Sequence, residues 1–99
     1  MIIVSGKRAV CGIQLTIDRG WRYALREGEI CTVRITDHDN NVFSKVYTHE
    51  DVDEIDKMIT VELTPEETEL MALGRGTISA YLNDILALPP IAIFVKGAV

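Results

Sequence analysis

Two histidines, two cysteines and a dense set of carboxylates are the residues of this chain that could do chemistry. An acid–base step near neutral pH would fall to His38 or His49 with a neighbouring carboxylate, because no other side-chain type titrates there unperturbed. Both lie in polar stretches, Asp37-His38-Asp39-Asn40-Asn41 and Thr48-His49-Glu50-Asp51, and no nucleophile motif accompanies them. The chain has no G-x-S-x-G and no phosphate loop, and Gly74-Arg75-Gly76 is too short for G-x-G-x-x-G. The expectation is that the chain has no catalytic residue and is not an enzyme. An enzyme using His38 or His49 is the least supported of the readings weighed.

Metal chemistry fares no better. Cys11 and Cys31 are too far apart for a zinc knuckle, and only His38 and His49 could complete four ligands. Reduced thiols buried on strands are expected, with a Cys11–Cys31 disulfide as the alternative. Asp37, Asp39 and Asn41 imitate the first three ligands of a calcium loop, but the sixth position is Val42 and the twelfth is Thr48. A hairpin turn explains the same three residues. Glu50, Asp51, Asp53, Glu54 and Asp56 crowd one segment without a ligand rhythm, which fits a solvated connection. No metal and no cofactor are expected.

A formal net charge of −5, with no basic run longer than Lys7-Arg8, argues against direct nucleic-acid binding. The same charge suggests one alternative, a small acidic protein that occupies the basic groove of a host protein as a DNA mimic would. Arg19, Arg22 and Arg26, gathered near Trp21, run against that pattern. No apolar run approaches the roughly 20 residues of a membrane span, and Met1-Ile2-Ile3-Val4 is too short for a signal peptide. The expectation is a soluble protein that stays in the cytoplasm during expression.

The elements that must position these residues are mostly strands. Cys11, Ile13, Leu15 and Ile17 alternate with polar residues, and Trp21, Tyr23 and Leu25 repeat the pattern after Asp18-Arg19-Gly20. Cys31, Val33 and Ile35 alternate with Thr32, Arg34 and Thr36, and Val42 to Thr48 returns, so residues 29–48 predict a β-hairpin. Ile59, Val61 and Leu63 lead into Thr64-Pro65-Glu66-Glu67, a capping box with proline at the first helical position. That helix is predicted over 65–73, closed by Gly74 in a left-handed cap, with Leu70 packed on the sheet. Ile78, Ala80 and Leu82 alternate again, Asn83-Asp84 begins a turn, and Pro89-Pro90 bars regular pairing before an apolar strand from Ile91 to Val95.

With 47% apolar and 25% charged residues, the 99 residues have the composition of one folded domain rather than a disordered chain. The predicted fold is mainly β: a small antiparallel β-sandwich or barrel of six to eight strands, with one short helix between strands. A helix that short suits a bridge between two sheets better than a parallel crossover. Three aromatic residues are candidate interaction residues. Trp21 and Tyr23 share one face of a strand, which usually means core packing but would anchor a partner if that strand is an edge, and Phe94 lies in the last apolar strand. That strand is either central or an edge that pairs with another subunit.

The order of elements resembles small β-modules of tail and baseplate proteins encoded by phages and prophages of Gram-positive bacteria. It is carried by Ile13-Gln14-Leu15-Thr16-Ile17-Asp18-Arg19-Gly20, by Glu27-Gly28-Glu29 entering a strand that ends at Asp37, and by Ile59 to Thr68 with its helix and following Tyr81-bearing strand. Residues 76–84 keep a tyrosine but not the G-x-Y-x-[YF]-D-[IL] spacing common in such modules. The resemblance implies a virion structural or assembly module without an active site. Its partners would be proteins, either copies of itself in a homo-oligomer or other virion proteins, and it would end in the virion.

Overall fold

Alternation decides which face of each strand turns inward, and the computed structural model, which describes residues 1–17, 21–23 and 25–97, follows it closely. The strands are β1 (Ile2–Val4), β2 (Ala9–Ile17), β3 (Trp21–Tyr23), β4 (Cys31–Thr36), β5 (Val42–Tyr47), β6 (Met58–Leu63), β7 (Gly74–Leu82) and β8 (Ile85–Lys96). They form a five-stranded sheet ordered β1-β8-β7-β4-β5 and a three-stranded sheet ordered β3-β2-β6. All pairings are antiparallel except β1 with β8. The protein is thus mainly β, with its sheets packed around one core.

That core is the sum of the inward rows. Cys31, Val33 and Ile35 from β4, Ile78 and Ala80 from β7, and Ile93 and Val95 from β8 are buried in the large sheet. Ala9, Ile13 and Leu15 from β2 and Ile59, Val61 and Leu63 from β6 answer them from the small sheet, and all join one cluster. Each fully buried aliphatic side chain contributes roughly 1.5–3 kcal/mol of hydrophobic stabilisation before the entropy of ordering is set against it. The cavity within this core is only about 10 Å³, about the volume one water needs, and its lining is apolar.

The hairpin of β4 and β5 closes through Asp37 and Asn41. The Asp37 N–H donates to the Asn41 carbonyl at 3.0 Å, and the Asn40 N–H donates to the Asp37 carbonyl at 3.1 Å. Asn40 takes the left-handed conformation (φ 65°) that ends such a three-residue loop, a geometry asparagine tolerates. Residues 49–56 form the expected connection with a single 3-10 turn, His49–Asp51. The predicted turn at Asp18-Arg19-Gly20 lies outside the described residues.

The helix α1 (Pro65–Leu70) carries the predicted capping box: the Glu67 N–H donates to Thr64 Oγ1 at 3.2 Å, and the Thr64 N–H donates to Glu67 Oε1 at 3.0 Å. As expected, it bridges the sheets, joining β6 of one to β7 of the other. Two expectations about it need correcting. The helix stops at Leu70 instead of 73, and Leu70 is 73% exposed. Thr68 and Met71 hold the helix down instead. The Thr68 hydroxyl, fully buried, donates to the Lys7 carbonyl at 2.8 Å, and the Met71 side chain lies in the core. Gly74 does have positive φ (123°), but it opens β7 and is not the helix cap.

At the far end of β7, Asn83 and Asp84 both have positive φ, the signature of a tight hairpin turn into β8. Pro89 and Pro90 interrupt the ladder as predicted: Ile78 pairs with Ile91 and Ala80 with Leu88, which leaves both prolines opposite Ser79. The strand nevertheless continues through them from Ile85, because a bulge absorbs the two residues that cannot donate.

Candidate interaction surface

The groups that could do chemistry are held apart by the fold. His38 sits exposed at the hairpin tip, its ring against Gly74, while His49 is exposed in the 3-10 turn. Cys11 is partly exposed and Cys31 is buried, and both are free thiols. Burial pushes the Cys31 thiol pKa up, which favours the unreactive protonated form. Among the described residues, no three His, Cys, Asp or Glu side chains gather as a metal ion requires.

Asp37, the first residue of the calcium-like pattern, has a structural task. Its Oδ1 accepts the N–H groups of Asp39 and Asn41, each at 2.9 Å, and its Oδ2 accepts Asn41 Nδ2 at 3.0 Å and the Ala72 N–H at 2.9 Å. Burial by itself would raise this carboxyl's pKa. The bonds from Ala72, Asn41 and Asp39 outweigh burial and hold it below the usual carboxylate range. The hairpin tip is thereby pinned to the segment after α1. Gly76 lies beneath this clamp, where a Cβ would run into the Thr36 carbonyl oxygen. Sequence reading assigned Asp37 to the turn but missed Ala72, since nothing in the local pattern announces so distant a donor.

The acidic connection is built the same way. The Asp51 carboxylate accepts the Thr48 N–H at 2.8 Å, Asp53 accepts the N–H groups of Ile55 and Asp56, and Asp56 accepts the Met58 N–H. The bonds from Ile55 and Asp56 also lower the Asp53 pKa. Three of the five carboxylates predicted to form a solvated run therefore fold the loop that carries them.

Apolar exposure is concentrated on strand edges. On the β1–β8 flank, Ile2 pairs with Phe94, and the two are 65% and 49% exposed. Ile85, Leu86 and Ile91 of β8 and Met1 are exposed as well, with Met1 and Ile91 on the side that faces the small sheet. Because β1 covers only Phe94 to Lys96, the first part of β8 has a free edge, and Pro89-Pro90 sits in it. Between this edge and β2 runs a groove of about 330 Å³ lined by Met1, Cys11, Ile13, Met58, Leu88 and Ile91. At the opposite end of the sheet, β5 exposes Val42, Ser44 and Val46 on its outer face and turns Phe43, Lys45 and Tyr47 inward. Lys45 Nζ donates to Glu67 Oε1 at 2.7 Å, so the capping glutamate also ties the hairpin to the helix. That ammonium and then the Thr64 N–H hold the Glu67 carboxyl pKa below its usual range.

Of the three candidate interaction residues, the structure places Phe94 on the exposed β1–β8 flank. Trp21 and Tyr23 lie on β3, an edge strand as one reading expected, opposite Ile17 and Leu15 in the ladder. Their side chains lie outside the described residues. Phe94 and β3 belong to different sheets. Sequence reading missed Ile2, Val42 and Val46. The signal was there for β5, where both the odd and the even positions are apolar or uncharged apart from Lys45.

No protein-family model matches this chain, and no curated protein matches it significantly. No helix among the described residues is long and apolar enough to cross a membrane.

Proposed function

We propose that the chain is a non-enzymatic structural or assembly module that acts through protein–protein contacts, of the kind built into phage and prophage particles. The observation that carries this reading is the exposed Ile2–Phe94 pair on the β1–β8 flank, beside the free edge of β8 and the apolar groove lined by Met1, Leu88 and Ile91. Exposed apolar side chains beside a free strand edge suit protein contact. The resemblance to tail and baseplate modules supplies the biological setting. In that setting the protein is made in the bacterial cytoplasm and carried into the virion.

The reading predicts that particles purified from a producing bacterium contain this chain at a fixed copy number, as measured by quantitative mass spectrometry. Particles that lack the chain would refute it. The acidic-inhibitor alternative gains no specific support, because Asp51, Asp53 and Asp56 are engaged in folding their own loop.

A further inference from the structure

The large sheet ends on β5, and this edge differs from the other outer strands among the described residues. β1 and β3 are three residues long, β8 carries the Pro89-Pro90 bulge, and the outer side of β6 is already met by the connection before it, where Val52 bridges to Ile59 and the Asp53 N–H donates to the Met58 carbonyl at 2.9 Å. Short length, proline and bulges are the usual devices that stop a sheet edge from pairing with another chain. β5 has none of these, and its one charged residue, the inward-turned Lys45, is paired with Glu67 at 2.7 Å rather than left as a free edge charge. It pairs with β4 without a register break over all six residues, and its outer face, Val42, Ser44 and Val46, carries no charge.

The hairpin closure fixes which backbone groups of β5 are free. Asp37 and Asn41 form a hydrogen-bonded pair, and bonded and non-bonded pairs alternate along an antiparallel ladder. Phe43, Lys45 and Tyr47 therefore bond to β4. The N–H and C=O groups of Val42, Ser44 and Val46 point away from the sheet. They have no other partner among the described residues. Thr48 continues the pattern, since its outward N–H is taken by the Asp51 carboxylate.

We propose that this edge pairs antiparallel with β5 of a second copy of the chain, joining the two large sheets into one. Only two central registers keep outer faces with outer faces. One sets Lys45 opposite the partner's Lys45 and matches Val42 with the partner's Thr48, whose N–H is already engaged. Like charges directly opposite each other disfavour it. The other sets Ser44 opposite the partner's Ser44 and Val42 opposite the partner's Val46, with Phe43 beside the partner's Lys45. That register satisfies every free edge group of Val42, Ser44 and Val46 and makes two valine–valine pairs on the outer face. The strand is self-complementary in this register, so a second copy is the occupant to which the edge commits.

This inference rests on the assembly reading and gives it a specific contact. The test uses light scattering coupled to size-exclusion chromatography, from micromolar to millimolar protein, on the wild type and on Ser44→Lys. It adds mild oxidation of a Ser44→Cys variant in a Cys11→Ser background. The wild type is expected to dimerise with rising concentration. Ser44→Lys places like charges opposite each other and stays monomeric with an unchanged circular dichroism spectrum, since Ser44 makes no ladder bond to β4. Ser44→Cys links covalently to a dimer, because opposed residues of a bonded pair lie about 5.5 Å apart, within disulfide reach. A wild type that remains monomeric throughout overturns the proposal and leaves β5 to an extended segment of a different protein. A dimer that survives Ser44→Lys and does not cross-link overturns it in favour of another face. A monomer found in particles would fail this proposal alone, whereas a dimer absent from particles would fail the assembly reading alone.

Discussion

The carboxylate of Asp37 accepts the backbone N–H of Ala72 at 2.9 Å, across 35 residues of sequence. This bond fastens the β4–β5 hairpin to the segment that leaves α1 for β7, so the strand bearing the free edge is held at its turn as well as along its ladder. Replacing Asp37 with Asn keeps the shape but puts an amide N–H₂ where an acceptor is needed. Leaving a buried donor unpaired costs about 1–3 kcal/mol, so Asp37→Asn should lower stability by that much in urea unfolding. An unchanged midpoint would mean the clamp carries no load.

The helix gives a paired comparison. Met71→Ala should cost about 2–5 kcal/mol, because the side chain is buried in the core cluster. Leu70→Ala should change stability by less than about 0.5 kcal/mol, because Leu70 is exposed. Thr64→Ala should cost about 1 kcal/mol through the lost cap. Equal losses for Met71→Ala and Leu70→Ala would show that the helix is not docked as described.

Acid should destabilise the fold through Asp37 and Glu67. Both have folded pKa values below the unfolded values of roughly 3.9 and 4.3. For groups with depressed pKa, the stabilisation is fully present above the unfolded pKa and is lost as pH falls through the folded value. Thermal midpoints should therefore be level from neutral pH to about 5 and fall below about 4, with Asp37→Asn and Glu67→Gln each flattening the acid limb. A decline already complete above pH 5 would contradict this assignment.

Much of this architecture was legible in the residues. Period-two alternation in β4, β6 and β7 correctly identified Val33, Ile35, Val61, Leu63 and Ile78 as core, and the T-x-x-E box located the start of α1. What the sequence could not specify were relationships between distant segments. Leu70 is apolar and four residues beyond Glu66, yet the helix turns Thr68 inward because its hydroxyl meets the Lys7 carbonyl, contributed by the opposite end of the chain. Gly74 looked like a helix cap because glycine at a helix end usually is one, whereas here its positive φ serves the entry to β7 against the His38 ring. Phe94 could be singled out from its apolar strand, but its exposure depends on β1 ending where it does.

Asp84 offers a gain instead of a loss. It sits at φ 68° in the second position of the tight turn between β7 and β8, where glycine is preferred in two-residue hairpins. The left-handed conformation costs an L-residue about 1–2 kcal/mol, part of which glycine returns as backbone entropy. Asp84→Gly should therefore raise the unfolding midpoint slightly. A drop would mean that the Asp84 side chain makes a contribution larger than the strain.

The central claim is that the chain works by being built into an assembly through its exposed strands. It is tested most directly by incorporation into particles. Wild type and a Phe94→Lys variant are produced separately in the same host, and the chain is quantified in gradient-purified particles and in the folded soluble fraction. Wild type is expected in the particles at constant stoichiometry, and Phe94→Lys folded but depleted from them. Particles without the wild-type chain, or equal incorporation of both proteins, would contradict the claim.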